Sequence, residues 1–339
     1  MRLAVAVLVL AALAQPLSAA EPDVRKVING GLKFLADDAV AWKADRNCSS
    51  CHHIPMAIWT LNEAQRRGYA VDDKAAAELT AWVVAKDDPA KVNPKQQERK
   101  EVIVNQTPLM LALGFEAADP KDPAARDGLK AMLTLVVGDQ DKDGAWRLLY
   151  VWEPHGSTPE VMTTLALLAL SAPNAPDLGA QGKAAREKGL KWLAAATPSD
   201  TLQADGLRLV LSKRLGQPPA EWEPLLKKLL ARQNADGGWS QVTGMKSDAF
   251  ATGQALYALA EAGRKPDAPA VAKARAFLAK SQRADGSWAM ASRPGGPGGK
   301  SAKNLAPITH VGSAWAILGL IRSAPAIAKP DGAVPRPGK

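Results

Sequence analysis

Six apolar stretches recur along this 339-residue chain and alternate with amphipathic ones. Runs such as 163–170 predict helices that are buried on nearly all sides. Between them, segments such as 128–133 and 274–278 place apolar residues at helical spacing. The apolar stretches span residues 54–68, 104–118, 158–172, 202–216, 248–263 and 310–324. The pattern predicts an all-α protein of six helical hairpins, with outer amphipathic helices around inner apolar ones.

Three connections between helices share the pattern Gln-x-x-Asp-Gly-x-Trp, at residues 140–146, 233–239 and 282–288. Asp-Gly favours a tight turn, and the Trp can cover the neighbouring helix end. These turns resemble the QW motifs of squalene and oxidosqualene cyclases and of the related prenyltransferase β subunits. That superfamily folds as an (α/α)6 toroid. The resemblance covers nearly the whole chain after residue 20 and implies a single closed ring of six hairpins.

The acidic motifs of those enzymes are missing from the sequence. Squalene-hopene cyclases protonate their substrate with Asp-x-Asp-Asp, and ionising terpene synthases hold Mg²⁺-diphosphate with Asp-Asp-x-x-Asp; neither occurs here. Asp37-Asp38 lacks the later acid, so we interpret this pair as a solvated helix end. The surroundings of Asp248 and His310 resemble the prenyltransferase zinc site, but Phe250 stands where that site has Cys. Asp248 is thus a catalytic candidate, with a helix N-cap as the competing role.

The most specific motif is Cys48-Ser49-Ser50-Cys51-His52, which holds the chain's only two cysteines. Cys-x-x-Cys-His is the pattern of c-type haem attachment, in which the cysteines bond covalently to the porphyrin and the imidazole binds iron. It predicts covalent haem c at Cys48, Cys51 and His52. Two alternatives stay open. A structural zinc site would need four ligands, and the sequence has no second Cys pair or closely spaced His pair to supply them. A disulfide or a pair of free thiols would not require His52 to follow the second cysteine.

Ring closure indicates where a second iron ligand could lie. In a closed ring the sixth hairpin abuts the first, so His310 should approach the haem segment. His53 and Met56 are too close in sequence to His52 to reach the opposite face of the haem easily. We expect His310 to be the sixth iron ligand, ahead of Met245, Met290 and His155. The alternative is that His310 only packs or caps a helix.

The chain begins with Met1-Arg2, an apolar segment and small residues at Ser18 and Ala20, the pattern of a secretory signal peptide. We expect a signal peptide over 1–20, one toroid over 21–324 with the haem-attachment segment at 47–55, and a disordered tail over 325–339. The protein should then be exported, to the periplasm or outside the cell. An integral membrane anchor is not expected, because no other stretch approaches the roughly 20 apolar residues of a span.

The formal net charge is +9 and is spread along the chain. Nucleic acid is not an expected partner, because the sequence shows no basic stripe with interleaved aromatic residues. A positive field can steer an acidic redox partner, and the toroid could accept an apolar ligand. The sequence favours an exported c-type haem protein on a cyclase-like toroid, serving electron transfer or haem-based redox chemistry. The alternative is an isoprenoid-binding or cyclase/prenyltransferase-like enzyme acting in the toroid cavity.

Overall fold

The computed structural model describes residues 23–46, 53–86, 106–148, 158–293, 303–325 and 327. Within these ranges the chain is all-helical, as the hydrophobic pattern predicts, and forms no β-sheet. The helices are α1 (Val24–Arg46), α2 (Ile54–Arg66), α3 (Asp73–Lys86), α4 (Gln106–Ala117), α5 (Pro123–Gly138), α6 (Pro159–Leu170), α7 (Gly179–Ala195), α8 (Leu202–Arg214), α9 (Pro219–Ala231), α10 (Ala249–Glu261), α11 (Pro269–Ser281) and α12 (Ala306–Ser323).

The even-numbered helices form an inner ring and the odd-numbered helices surround it. Each inner helix packs against the next inner helix, and α12 packs against both α2 and α1, which closes the ring. The predicted (α/α)6 toroid is therefore confirmed. Every residue of α6 from 160 to 170 is buried, whereas outer helix α9 buries only Leu226 and Leu229 among its residues. The contrast between all-round and one-sided burial is what the two hydrophobic patterns predict.

Three of the inner helices begin at side-chain caps. The side chains of Thr158, Thr201 and Asp248 accept hydrogen bonds from the backbone N–H groups three residues later, at the starts of α6, α8 and α10. Such caps satisfy donors that the first helical turn leaves without partners. The caps fix the level at which these inner helices start and thereby define one rim of the toroid.

The three QW turns each tie their own hairpin to the next one, at three of the six junctions of the ring. In each turn the Gln side-chain amide donates to the carbonyl of the turn's own glycine and to a carbonyl of the following outer helix. The outer acceptors are Ala185 for Gln140, Ala270 for Gln233 and Val27 for Gln282, at 2.8–2.9 Å. Each Trp indole N–H donates to a carbonyl in the last turn of the preceding outer helix. Because the third turn joins α11 to α1, the repeated element also closes the ring.

Helices α10 and α12 approach so closely that only glycine fits between them. A Cβ built on Gly253 would lie 2.3 Å from the Trp315 carbonyl oxygen, and one on Gly319 would lie 2.3 Å from the Gly253 carbonyl oxygen. Real Cβ atoms do not approach backbone that closely, so these two glycines set the distance between the fifth and sixth inner helices.

None of the helices in the described residues combines the length and the apolar character that a bilayer crossing needs. The proposed signal peptide over 1–20 lies outside the described residues, as do residues 328–339 of the tail. These two assignments stay predictions.

Candidate functional site

Three chemically active side chains meet where the ring closes. Asp38 lies in α1, His53 immediately precedes α2, and His310 lies near the start of α12. The first and sixth hairpins are adjacent in space, so residues more than 250 positions apart in the chain come into contact. We call Asp38, His53 and His310 the rim cluster.

Asp38 connects the two histidines. Its Oδ2 lies 2.6 Å from His310 Nδ1 and 3.3 Å from His53 Nε2. The other ring nitrogen of His310, Nε2, lies 3.0 Å from the backbone carbonyl oxygen of His53. Both histidines are fully buried, while the side chain of Asp38 is 34% exposed. The carboxylate therefore forms the solvent-facing side of the cluster.

Aromatic stacking holds the histidine rings. Trp42 lies four residues after Asp38, on the same face of α1, and its ring stacks on His53 at 3.8 Å between centroids. On its other face His53 stacks on His310 at 4.3 Å. The Arg46 guanidinium lies 5.5 Å from the Trp42 ring centroid. The His53 ring is thus fixed between two planar groups.

The charge state of the cluster follows from its contacts. Burial raises the pKa of Asp38, but the hydrogen bonds with His310 and His53 outweigh burial and hold the pKa well below its usual range. At neutral pH this carboxyl is ionised and only accepts hydrogen bonds. His310 thus faces a carboxylate at Nδ1 and a carbonyl at Nε2, and a neutral imidazole carries only one N–H. A neutral His310 can therefore donate to only one of these two acceptors.

The predicted haem ligands Cys48, Cys51 and His52 lie outside the described residues. Haem attachment therefore stays a prediction, and so does iron ligation by His310. With both of its nitrogens already in contact with acceptors, His310 would have to give up one of these contacts to bind iron.

Asp248 caps α10 at the same rim. Its Oδ1 accepts from the Ala251 backbone N–H at 2.8 Å, and its Oδ2 accepts from Gln241 Nε2 at 2.7 Å. The N-cap role that the sequence offered is therefore observed. Burial raises the pKa of Asp248 to about 6, against the opposing effect of these hydrogen bonds. The side chain is a buried carboxyl that takes up a proton close to neutral pH.

The interpretation of Asp37-Asp38 as a solvated helix end is wrong for Asp38. Asp37 is largely exposed and pairs with Lys33, but Asp38 lies within α1 and on the face that meets α12. Sequence reasoning also set His53 aside because it adjoins the predicted ligand His52. The closed ring is the feature that points to Asp38. Because α1 and α12 are neighbours in such a ring, a polar residue one turn before Trp42 should face the start of α12.

Aromatic side chains fill the interior of the ring at mid-height. Trp315 of α12 packs edge-to-face on Trp59 of α2 at 5.2 Å and on Tyr257 of α10 at 5.8 Å. Each of the three side chains is less than 5% exposed. At this level, aromatic packing joins the inner helices α2, α10 and α12.

Buried ion pairs lie at the opposite end of the inner helices. Arg322 binds Glu63 and Glu261, while Arg66 and Arg67 also reach the fully buried Glu63. The two ends of the toroid therefore differ in chemistry, with histidines and a carboxylate at the rim and arginine–glutamate pairs at the far end.

Comparisons with known proteins agree with this architecture. Residues 186–284 match the squalene-hopene cyclase N-terminal domain family. A variant of the type II terpene cyclase MstE from Scytonema, solved with geranylgeranyl dihydroxybenzoate, superposes with a TM-score of 0.52 at 14% identity, over 89% of this chain and 99% of that one. A possible member of the GH105 family from Salmonella enterica serovar Paratyphi A gives 0.56 at 15% identity, over 91% and 96%.

A protein from Actinoplanes gives a TM-score of 0.50 at 14% identity, over 89% of this chain and 99% of its own. No curated protein sequence matches the chain. At these identities the structural likeness shows the fold alone, since one toroid architecture serves unrelated chemistries. The comparisons therefore define an (α/α)6 helical toroid that is similar in fold to a terpene cyclase.

Proposed function

We propose that this chain is an exported c-type haem protein in which a terpene cyclase-like toroid carries the haem at its rim, for electron transfer or haem-based redox chemistry. The observation that carries the proposal is the motif Cys48-Ser49-Ser50-Cys51-His52. It supplies two thiols for covalent attachment and an adjacent imidazole for the iron.

The described residues on either side of the motif support this assignment. Before it, α1 ends at Arg46, and after it His53 is clamped between Trp42 and His310. A prosthetic group attached between two such anchors would be held in a fixed orientation on the ring. The aromatic filling of the interior and the missing acidic motifs favour chemistry at the rim over cyclisation inside the ring.

The test is covalent attachment. The full chain is expressed with c-type maturation machinery, and the exported protein is extracted with acid acetone. We expect the haem absorption to stay with the protein and the mass to rise by one haem, with an N-terminus at Glu21. Cys51→Ser should impair maturation, whereas the matched control Ser49→Ala should not. A protein that loses all its colour on extraction would contradict the proposal.

A second candidate function is the binding or conversion of an apolar, isoprenoid-type ligand in the toroid. The comparisons bear on this candidate and not on haem, because the family match is to a squalene-hopene cyclase domain and one structural relative holds a geranylgeranyl compound. Within this chain Asp248 is the candidate proton donor, since its pKa of about 6 keeps the buried carboxyl protonated in mildly acidic solution.

Lipid analysis tests the second candidate. The purified protein is extracted for bound lipid and incubated with squalene, geranylgeranyl diphosphate and geranylgeranyl dihydroxybenzoate, with products identified by mass spectrometry. Because the acidic motifs are missing, we expect no cyclic product. Turnover that Asp248→Asn abolishes and the exposed control Asp127→Asn preserves would establish a cyclase and displace the haem proposal as the main function.

A further inference from the structure

We propose that the rim cluster is a binding site for one Zn²⁺-type transition-metal ion, held by the Asp38 carboxylate, His53 Nε2 and His310 Nδ1. The site requires none of Cys48, Cys51 and His52, but it includes His53, which follows the motif directly, and His310, which could then not also bind the haem iron. One ligand atom from each of the three side chains lies within 4.8 Å of the others. The chain thus brings together two imidazoles and a carboxylate from the first and sixth hairpins, which meet because the ring closes.

The donor set and its spacing suit zinc. Two histidines and one carboxylate form a common three-residue zinc site, in which a water or substrate occupies the fourth position. With metal–ligand bonds of about 2.0–2.1 Å, two ligands on a tetrahedral ion lie roughly 3.3 Å apart. The distance from Asp38 Oδ2 to His53 Nε2 is already 3.3 Å. His310 Nδ1, at 2.6 Å from the same oxygen, needs only to move slightly away.

The hydrogen bond at the far side of His310 prepares this residue as a ligand. Its Nε2 lies 3.0 Å from the His53 carbonyl oxygen, so in the neutral tautomer that donates from Nε2 the lone pair of Nδ1 faces Asp38 and is available to an ion. Zinc-binding histidines characteristically donate their second N–H to a carbonyl or carboxylate in this way.

Access and rigidity favour the same conclusion. The two imidazoles are fully buried, and the partly exposed Asp38 leaves one route from solvent. Stacking of Trp42 on His53 restricts the motion of this imidazole. The prenyltransferase-like site suggested by the sequence would share His310, but its other ligands would be Asp248, which is occupied as an N-cap, and position 250, which is Phe.

Zinc binding to the full mature chain tests the proposal. Protein treated with a chelator is titrated with zinc chloride by calorimetry, and bound zinc is counted by mass spectrometry alongside iron. We expect one zinc per chain. Asp38→Asn and His310→Gln should weaken zinc binding by at least about tenfold. The matched control Asp37→Asn, on the exposed face of the same helix, should bind like wild type, as should the double variant Cys48→Ser/Cys51→Ser.

Three results would overturn the site: no zinc uptake by wild type, unchanged affinity in Asp38→Asn, or loss of binding only when the cysteines are replaced. The last result would place zinc in the Cys-x-x-Cys segment. Circular dichroism of each metal-free variant establishes that it is folded. If His310→Gln unfolds, the zinc affinity of Asp38→Asn tests the site instead. This variant should stay folded, because the substitution keeps the size of a side chain that is partly exposed.

Discussion

Gln282 and Val27 lie 255 positions apart in the chain, and the side-chain amide of Gln282 donates to the Val27 carbonyl at 2.9 Å. This bond repeats the contact that the other two QW turns make with the next outer helix. In the last turn the next outer helix is the first one of the chain. The contact that organises successive hairpins therefore also joins the two ends of the toroid and assembles the rim cluster.

Replacing Gly286 should open this junction. Gly286 has φ +89°, and a Cβ there would lie 2.2 Å from the Gly30 carbonyl oxygen of α1. Gly286→Ala combines left-handed backbone strain with overpacking and should lower the free energy of unfolding by about 2–5 kcal/mol, measured by urea denaturation. Gly216→Ala, with φ +65° and open space around it, carries the strain alone and should cost about 1–2 kcal/mol. Equal losses in the two variants would contradict a tight junction.

The sequence predicts the ring well because its signals are local and repeated. Uninterrupted apolar runs mark the inner helices, and the Gln-x-x-Asp-Gly-x-Trp turns mark the connections between hairpins. The predicted start of the fifth inner stretch at residue 248 coincides with the cap of α10. Repetition supplies the closure as well, since a ring of six equal hairpins brings its first and last members together.

The rim cluster was only half visible in the sequence. His310 was expected to approach the first hairpin, but Asp38 was interpreted as a solvated residue and His53 was set aside. The reason is physical: whether a single polar residue on an amphipathic helix faces water or a partner depends on the neighbouring helix, and α12 follows α1 by more than 250 residues. The spacing of apolar and polar residues along α1 carries no information about its contact with α12.

Trp315→Ala tests whether the ring interior is filled. Removing this buried indole from its contacts with Trp59 and Tyr257 should cost about 3–5 kcal/mol of unfolding free energy. The cavity it leaves is apolar and should accept a benzene-sized ligand, as such engineered cavities do. Calorimetric titration should detect this binding in the variant only. Trp222→Ala on outer helix α9, where the ring is partly exposed and covered by Lys213, should create no such site. Binding by wild type would indicate an existing cavity and favour the isoprenoid candidate.

The raised pKa of Asp248 predicts a specific pH dependence of the free energy of unfolding. Its pKa rises from 3.8 in the unfolded chain to about 6 in the fold, so between these values only the folded state holds the proton. Stability should therefore fall as pH rises from about 4 to about 6. Two pKa units correspond to up to about 3 kcal/mol. Asp248→Asn, which can still cap α10 through its amide oxygen, should remove this part of the slope.

Urea denaturation across pH 4–7 checks this expectation as the difference between wild type and variant. Asp139 contributes a slope of the same sign to both proteins, because burial raises its pKa to about 6 as well, and it cancels in the difference. Asp127→Asn, on the exposed face of α5, serves as the control and should follow wild type. Parallel curves for wild type and Asp248→Asn would mean that Asp248 keeps an ordinary carboxyl pKa.

The far end of the toroid should depend on Glu63. This carboxylate is fully buried and pairs with Arg66, Arg67 and Arg322. Glu63→Gln keeps the size of the side chain but removes its charge, which leaves the mostly buried Arg322 with Glu261 as its remaining acidic partner. Breaking a buried ion pair on one side typically costs about 3–5 kcal/mol, and we expect a loss of unfolding free energy in that range. Asp37→Asn, which breaks an exposed pair with Lys33, should leave stability unchanged.

In the double variant Glu63→Gln/Arg322→Met no buried charge is stranded, so its loss of unfolding free energy should be smaller than the sum of the losses in the two single variants. Strictly additive losses would show that the two side chains act independently and that the pair does not join α2 to α12.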